Sequence, residues 1–272
     1  MFRSKAIKEN VENVENLEKI YSFAKDITSK ASKLILNGLT KTRQISFKKG
    51  HHNLVTNVDR EVEALVIKEI ISRFPNHTII AEESGIHEKD KSNVWFIDPI
   101  DGTTNFAHGY PCFCISIGFA KNGKLEFGLV MNPVTNELYS AKKGKGAKLN
   151  GKPINVSRIK TLKESLLITG FSQDSKKSKQ RNFNRFKKLT ILSQGVRRDG
   201  SAAMDLCYVA SGKLDGFWEQ KLNVWDVAAG VLILKEAGGK VTNYEGKEFD
   251  MFKDNIVATN GFIHKELLNE LS

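Results

Sequence analysis

Cysteine is scarce in this chain, with three in 272 residues. Three thiols make no paired framework of the kind that staples small secreted domains, and a reducing cytoplasm is the expected compartment. Cys112 and Cys114 alternate along a predicted strand and are expected on its opposite faces, while Cys207 falls in a helical pattern. All three read as packed thiols and not as ligands or nucleophiles. In that compartment the sequons Asn76-His77-Thr78 and Asn155-Val156-Ser157 carry no meaning. Long apolar runs are missing too. No segment approaches the ~18 consecutive apolar residues of a membrane span, and Met1-Phe2-Arg3-Ser4-Lys5 leads into polar sequence, not an apolar signal core. No membrane partner is expected. Repeats, low-complexity tracts and Pro/Gly/Ser-rich linkers are absent as well. The halves, 1–155 and 156–272, are therefore expected to share one interface within a single domain.

Acidic residues are in deficit, 31 against 42 Lys and Arg, for a net charge of +11. Lysines cluster from Lys142-Lys143 to Lys148 and from Lys176 to Lys188. Such charge steers anionic substrates or binds RNA, but no Arg/aromatic-interleaved nucleic-acid motif accompanies it. Both clusters are expected to be solvated surface. Gly144-Lys145-Gly146 resembles half of a nucleotide-binding loop, yet no convincing helix follows it, so it reads as turn chemistry.

What is present is a dense alternation of elements, and 40% hydrophobic content is enough for a large core. Helical spacing runs over 11–36, through Val11, Val14, Leu17, Tyr21, Ala24, Ile27, Ala31, Leu34 and Ile35. An extended stretch follows at 44–48, then the loop Lys49-Gly50-His51-His52-Asn53. Thr56-Asn57-Val58-Asp59 offers cap chemistry for a second helix that turns Val62, Leu65, Val66, Ile70 and Phe74 inward. Thr78 to Ala81 reads as a strand stopping at Glu82-Glu83-Ser84-Gly85. Strands at 113–120, 125–131 and 137–141 form a meander around Asn122-Gly123 and Asn132-Pro133 turns, with Asn150-Gly151 marking another hairpin. Further on come strands at 166–169, 214–218, 240–242 and 255–258, and helices near 177–193, 200–211, 224–238 and from His264.

The most informative run is Trp95-Phe96-Ile97-Asp98-Pro99-Ile100-Asp101-Gly102-Thr103-Thr104-Asn105-Phe106. It starts as a buried strand that ends at a carboxylate, and Pro99 is expected to stop the ladder. Asp98 and Asp101 flank the turn, and Gly-Thr-Thr suits a helix start that seats phosphate. Hard oxygen ligands beside such a seat point to Mg²⁺ bridging protein and phosphoryl oxygens. The string DPIDGTTNF resembles the metal-binding signature of the inositol monophosphatase family, Mg²⁺-dependent and lithium-sensitive sugar phosphatases. Leu54-Val55-Thr56-x-x-Asp59, Glu82-Glu83-Ser84, Gly200-Ser201-Ala202-Ala203 and Trp225-Asp226-Val227-Ala228 resemble further motifs of that family. Glu219, seven residues before Asp226, stands at the spacing of its substrate-hydroxyl contact. Taken singly, Asp59 and Asp226 are simple helix caps, Glu82-Glu83 a solvated strand end and Glu219 a surface charge. Together they would repel one another if they converged without cations.

The resemblance implies an α/β (α+β) fold, a layered α-β-α-β-α sandwich with two sheets. It implies two to three Mg²⁺: a first held by Glu82, Asp98 and the Ile100 carbonyl, a second by Asp98, Asp101 and Asp226, and a weaker third near Glu82 through water. Asp59 and Thr103 form the catalytic pair that orients and deprotonates water. The Gly102 and Thr103 N–H groups cradle phosphate. Glu219, Asp226 and the Gly200, Ser201 and Ala202 backbone bind polyol hydroxyls, and Glu82, Ile100 and Asp101 border the substrate as well. The implied activity is hydrolysis of a small phosphorylated polyol, inositol 1-phosphate first, by a homodimer. Fructose 1,6-bisphosphate, an adenosine bisphosphate and NADP are the runner-up substrates, and an RNA- or transcription-associated role is the rival of a different class. The first loop departs from the family pattern, with Asn53 where Asp is common and with His51-His52 expected to be solvated. Lys48 or Lys49 stands for the family's loop lysine, and the third metal is expected to bind weakly.

Overall fold

The structure, a computed structural model, describes residues 2–40, 45–47, 54–171, 176–253 and 255–271. The loop 48–53, with its histidines, Asn53 and candidate lysines, lies outside the described residues.

Helix α1 (Phe2–Leu39) starts well before the expected position, and α2 (Asn57–Arg73) follows a short ribbon of β1 (Ile45–Phe47) and β2 (Leu54–Thr56). Thr56 caps α2, accepting from the N–H groups of Val58 and Asp59, while Asp59 accepts from the Thr56 N–H. The two helices bury Ile20, Ala24, Ile27, Ala31 and Ile35 together with Val62, Val66 and Ile70 against one face of the larger sheet.

That sheet holds β3 (His77–Ala81), β4 (Gly85–His87), β5 (Asp90–Asp101), β6 (Cys114–Lys121), β7 (Lys124–Asn132), β8 (Glu137–Lys142), β9 (Ala147–Leu149) and β10 (Lys152–Ile154). Its order is β10-β9-β8-β7-β6-β5-β3-β4. Only the β3–β5 pair among these neighbours is parallel; β4, antiparallel to β3, lies in the connection between them. Asn122-Gly123 and Asn150-Gly151 turn left-handed at both residues, with φ of 50° and 72°, and 49° and 81°. This is the geometry that tight two-residue hairpins demand. Lys142 and Lys143 are not simply solvated, since they pair with Glu18 and Glu126 at 2.5 and 3.2 Å.

Helix α3 (Thr103–His108) leaves the centre of this sheet. The second sheet, order β12-β11-β13-β15-β14, is built from β11 (Leu166–Thr169), β12 (Gly195–Arg197), β13 (Gly216–Gln220), β14 (Lys240–Thr242) and β15 (Asn255–Thr259). Its helices are α4 (Lys176–Leu192), α5 (Ala202–Ala210), α6 (Val224–Glu236) and α7 (His264–Leu271). The core made by α5 and α6 takes in Val130, Tyr139 and Ala141 from the first sheet and Ile168, Phe217 and Ile256 from the second. A separate core joins Leu189, Trp218, Val257 and Leu267 under α4 and α7. The layers are therefore helix, sheet, helix, sheet, helix, the sandwich that the resemblance implied.

Helix α6 lies on bare backbone. A Cβ at Gly128 would meet the Ala229 carbonyl oxygen at 2.6 Å, and one at Gly118 would meet the Ala228 Cβ at 3.0 Å. Any side chain there would lift the helix off the sheet.

Three expectations need correction. Strand β5 does not end at Asp98. It runs on to Asp101, because Pro99 interrupts the ladder without ending it. Strand β13 lies two residues later than expected, which places Glu219 inside it. Cys112 precedes β6 and is buried in the same core as Cys114; residues two apart in an extended chain share a face, so the expectation of opposite faces fails. All three cysteines are buried and free, and burial pushes the Cys112 thiol up to about 12.

His264 opens α7, buried between the Thr242 and Thr259 hydroxyls at 2.9 Å each. Burial, with Lys240 nearby, lowers it to about 4. The unfolded chain then binds a proton that the folded chain refuses between pH 6.5 and 4. This contribution to stability is full above pH 6.5 and is lost as pH falls toward 4. Urea midpoints measured across that window should fall for the wild type and fall less for His264→Gln. Equal slopes would refute the assignment.

Candidate active site

The β5 bulge explains how Asp98 and Asp101 act together. In a regular strand, residues three apart face opposite sides. Here Asp98 pairs with Ser116 and Asp101 with Cys114, so Pro99 and Ile100 together oppose the single residue Ile115. The extra residue re-aims the strand, and both carboxylates line one cleft. Gly102 then takes φ 93°, where a Cβ would stand 2.9 Å from the Cys112 carbonyl oxygen. Thr103 opens α3, and its hydroxyl lies 3.0 Å from both Asp59 Oδ1 and the Ile100 carbonyl.

Several of the carboxylates use one oxygen for architecture. Asp59 Oδ2 accepts from the Thr56 N–H at 2.9 Å and the Thr56 hydroxyl at 2.5 Å, while Oδ1 meets Thr103. Asp101 Oδ2 reaches across to the second half, accepting from the Ser201 hydroxyl at 2.8 Å and the Ala203 N–H at 2.7 Å, and so caps α5. Asp226 Oδ2 accepts from the Asn223 N–H at 2.7 Å in a capping box of α6. The cap reading of Asp59 and Asp226 is thus correct for one oxygen each. Asp98 differs: its buried Oδ1 has no hydrogen-bond partner.

The cleft, about 410 Å³, is lined by Glu82, Asp98, Ile100, Asp101, Gly102 and Thr103 from the first half. Gly170, Phe171, Arg198, Gly200, Ala202, Glu219, Lys221 and Asp226 line it from the second. Asp59 stands behind Thr103, and the Ser201 hydroxyl turns away to Asp101. A larger cavity of about 710 Å³ between the β6–β7 turn, α6 and residues 248–252 is more apolar and gathers no comparable set of acids. The chemistry, not the size, singles out the smaller one.

Like charges crowd this cleft. Burial first, then Glu82, Asp101 and Asp226, push Asp98 well above the carboxylate range. Burial raises Asp101 to about 6 against the hydrogen bonds from Ala203 and Ser201. Burial and Asp101 raise Asp226 strongly and Glu219 to about 8. Asp59 is raised too, by burial against its Thr56 hydrogen bonds. Among the described residues no group of three or more His, Cys, Asp or Glu forms a ready-made metal cage. The donor set nevertheless fits a hydrated hard cation, with carboxylates facing one cleft, a backbone carbonyl beside them and an orphaned buried oxygen. Mg²⁺ keeps several waters and needs no all-protein cage.

Some residues of this site escaped sequence reasoning. Glu63, one turn after Asp59 on the inward face of α2, is 3% exposed. Its two oxygens accept from the N–H groups of Glu83 and Ser84, both at 2.8 Å, and so hold the turn that begins at Glu82. An acid at an inward helical position was the available signal. Asn105 Nδ2 bridges the Cys112 and Asp199 carbonyls at 2.6 Å each, joining the two halves beside the cleft. Lys221 holds φ 60°, a conformation that lysine rarely adopts. Asp205 carries two buried oxygens without hydrogen bonds, and burial, then Glu219, pushes its carboxyl well above its usual range.

Comparison with known proteins agrees with this geometry. The profile described as the inositol monophosphatase family matches residues 16–272. An inositol-1-monophosphatase of Synechocystis sp. is 48% identical over 233 residues, 85% of this chain and 81% of that protein. The Nus factor SuhB of Vibrio cholerae is 43% identical over 233 residues, 85% of this chain and 87% of that one. The solved inositol monophosphatase of Anabaena (Nostoc) sp. superposes with a TM-score of 0.85 at 42% identity, covering 94% of this chain and 96% of that one. With the sandwich fold and the carboxylate-lined cleft already in view, these matches establish that the chain belongs to the inositol monophosphatase family and is a phosphoric monoester hydrolase.

Proposed function

We propose that this chain hydrolyses the phosphate monoester of a small polyol, inositol 1-phosphate before others, with Mg²⁺. One observation carries the reading: the Thr103 hydroxyl, bonded to buried Asp59, faces a cleft that gathers Glu82, Asp98 and Asp101 from the first sheet, Asp226 from α6 and Glu219 from the second sheet. Glu82, Asp98 and the Ile100 carbonyl would hold one ion, Asp98, Asp101 and Asp226 a second, and water near Glu82 a weaker third. When bound, these ions neutralise phosphoryl charge and acidify water. Thr103 accepts a hydrogen bond from the attacking water and relays its proton to Asp59 Oδ1. Burial of Asp59 raises its proton affinity and suits it as the acceptor. The Gly102 and Thr103 N–H groups orient the phosphate. Glu219, Asp226 and the backbone from Gly200 through Ser201 to Ala202 bind the hydroxyls. Asp101, fixed by Ser201 and Ala203, keeps the two walls in register. A homodimer is part of the proposal.

A phosphate-release panel tests it, with inositol 1-phosphate, fructose 1,6-bisphosphate, adenosine 3′,5′-bisphosphate and NADP, each in Mg²⁺, in EDTA and with added Li⁺. Inositol 1-phosphate should show the highest kcat/KM, with no turnover in EDTA and loss of rate in Li⁺. Full turnover in EDTA would refute the metal assignment, and a higher kcat/KM for another substrate would replace the polyol. The net charge of +11 and the relatives named Nus factor SuhB favour a second, nucleic-acid-linked role. Salt-dependent RNA binding that survives Asp98→Asn would support it. No helix among the described residues is long and apolar enough to cross a membrane.

A further inference from the structure

Glu219 reaches its place over a gap in the neighbouring strand. Strands β11 and β13 run parallel, with Thr169 opposite Trp218, so Gly170 comes opposite Glu219. Side chains paired this way point to the same face of a sheet. A Cβ on Gly170 would stand 2.1 and 2.2 Å from the two Glu219 carboxylate oxygens. The carboxylate therefore lies where any other residue at 170 would put a side chain. Its position depends on where the Gly170 backbone is held, and β11 has already ended at Thr169.

What holds Gly170 comes from the opposite face. Asn182, on the Lys-rich helix α4, is 6% exposed. Its Nδ2 donates to the Gly170 carbonyl at 2.7 Å, and its Oδ1 accepts from Trp218 Nε1 at 2.8 Å. The Thr169 hydroxyl closes the group by donating to the Trp218 carbonyl at 2.5 Å. One amide thus staples the residue before Glu219 to the residue opposite it. Phe171, which lines the cleft, packs on Phe183 and Phe186 of the same helix at centroid distances of 4.8 and 5.9 Å. A core position needs only an apolar side chain of the right volume. A buried amide with both ends engaged instead fixes one arrangement of the two strand ends.

We infer that Asn182 is a positioning residue for Glu219. By fixing the Gly170 backbone beneath the carboxylate, it sets the enzyme's discrimination between polyol phosphates and phosphate esters without hydroxyls. This inference rests on the proposed contact of Glu219 with substrate hydroxyls. Helix α4, whose lysines drew attention in the sequence, thereby acts on substrate choice through its buried face.

The test is steady-state kinetics on inositol 1-phosphate and p-nitrophenyl phosphate, for the wild type, Asn182→Leu, Glu219→Gln and the double variant, all in Mg²⁺. Asn182→Leu keeps the γ-branched shape and the number of heavy atoms and loses both hydrogen bonds. It should lower kcat/KM for inositol 1-phosphate about 10-fold or more, mainly through KM, as small displacements of a binding group do. The p-nitrophenyl phosphate rate should stay within about twofold, and adding Asn182→Leu to Glu219→Gln should cost little more, as coupled residues predict. Equal losses on both substrates, or losses that multiply in the double variant, would make Asn182 a purely structural residue and overturn the inference. If Asn182→Leu does not fold, Asn182→Asp carries the same measurement, since it keeps the acceptor for Trp218 and loses the donor to Gly170. Should Glu219→Gln leave inositol 1-phosphate unaffected, the hydroxyl contact fails and the inference falls with it. A failure of the positioning role alone is distinct, because Glu219→Gln would then still be selective.

Discussion

Asp98→Asn is expected to lower kcat/KM by about 10³-fold or more, because several kcal/mol of cation-assisted stabilisation depends on that carboxylate. Glu219→Gln removes only the proposed hydrogen bond to substrate, an effect of about 0.5–3 kcal/mol, and should cost less. The same Asp98 variant should melt at a higher temperature than the wild type in the absence of Mg²⁺. Asp98 Oδ1 is buried without a partner, and burial first, then Glu82, Asp101 and Asp226, push its pKa upward. An amide there relieves that repulsion and offers donors to neighbouring acceptors. The Mg²⁺-induced rise in Tm should shrink in step. Comparable kcat/KM in Asp98→Asn and Glu219→Gln, or an unchanged Mg²⁺-induced rise, would show that Asp98 is not the shared ligand.

The second large effect concerns Asp59 and Thr103. Each of Asp59→Asn and Thr103→Ala should lower kcat by roughly 10²–10⁴, and the double variant should be scarcely worse than the poorer single one. The 3.0 Å bond between Thr103 Oγ1 and Asp59 Oδ1 makes them one unit, so removing either disables both. Asp59 also caps α2 through Thr56. Asn keeps an acceptor for that cap, so Tm should change little and the kinetic loss can be read as chemistry. A double-variant loss equal to the product of the singles would mean that the two act independently.

Much of this site was legible in the sequence because its residues fall in short, locally determined motifs. Asp59 is three residues from its capping partner Thr56, and Asp98 to Thr103 occupy one strand-to-helix passage. The hairpin at Asn122-Gly123 was equally local. What escaped depends on partners far away in the chain. Pro99 announces a broken ladder, but whether the strand ends or bulges is decided by β6, which resumes pairing at Cys114. Glu63 sits at an inward helical position, but what it holds shows only when the backbone N–H groups of residues 83 and 84 fold onto it. Gly170 and Asn182 have no signature at all, since their importance lies in register and in which face of β13 each element covers. The layering of helices on two sheets came from the family resemblance, because periodicity carries no information about pairing, and the order of strands within each sheet was not legible at all.

The seating of α6 on the bare backbone of Gly118 and Gly128 bears on motion. Asp226 rides on the first turn of that helix, and Asp98 and Asp101 stand on the sheet beneath it. Where α6 crosses these two glycines its backbone comes close to the strands, with no side chain of either glycine between them. Asp98, Asp101 and Asp226 are therefore expected to keep their relative positions through turnover, so that product release needs no separation of α6 from this sheet.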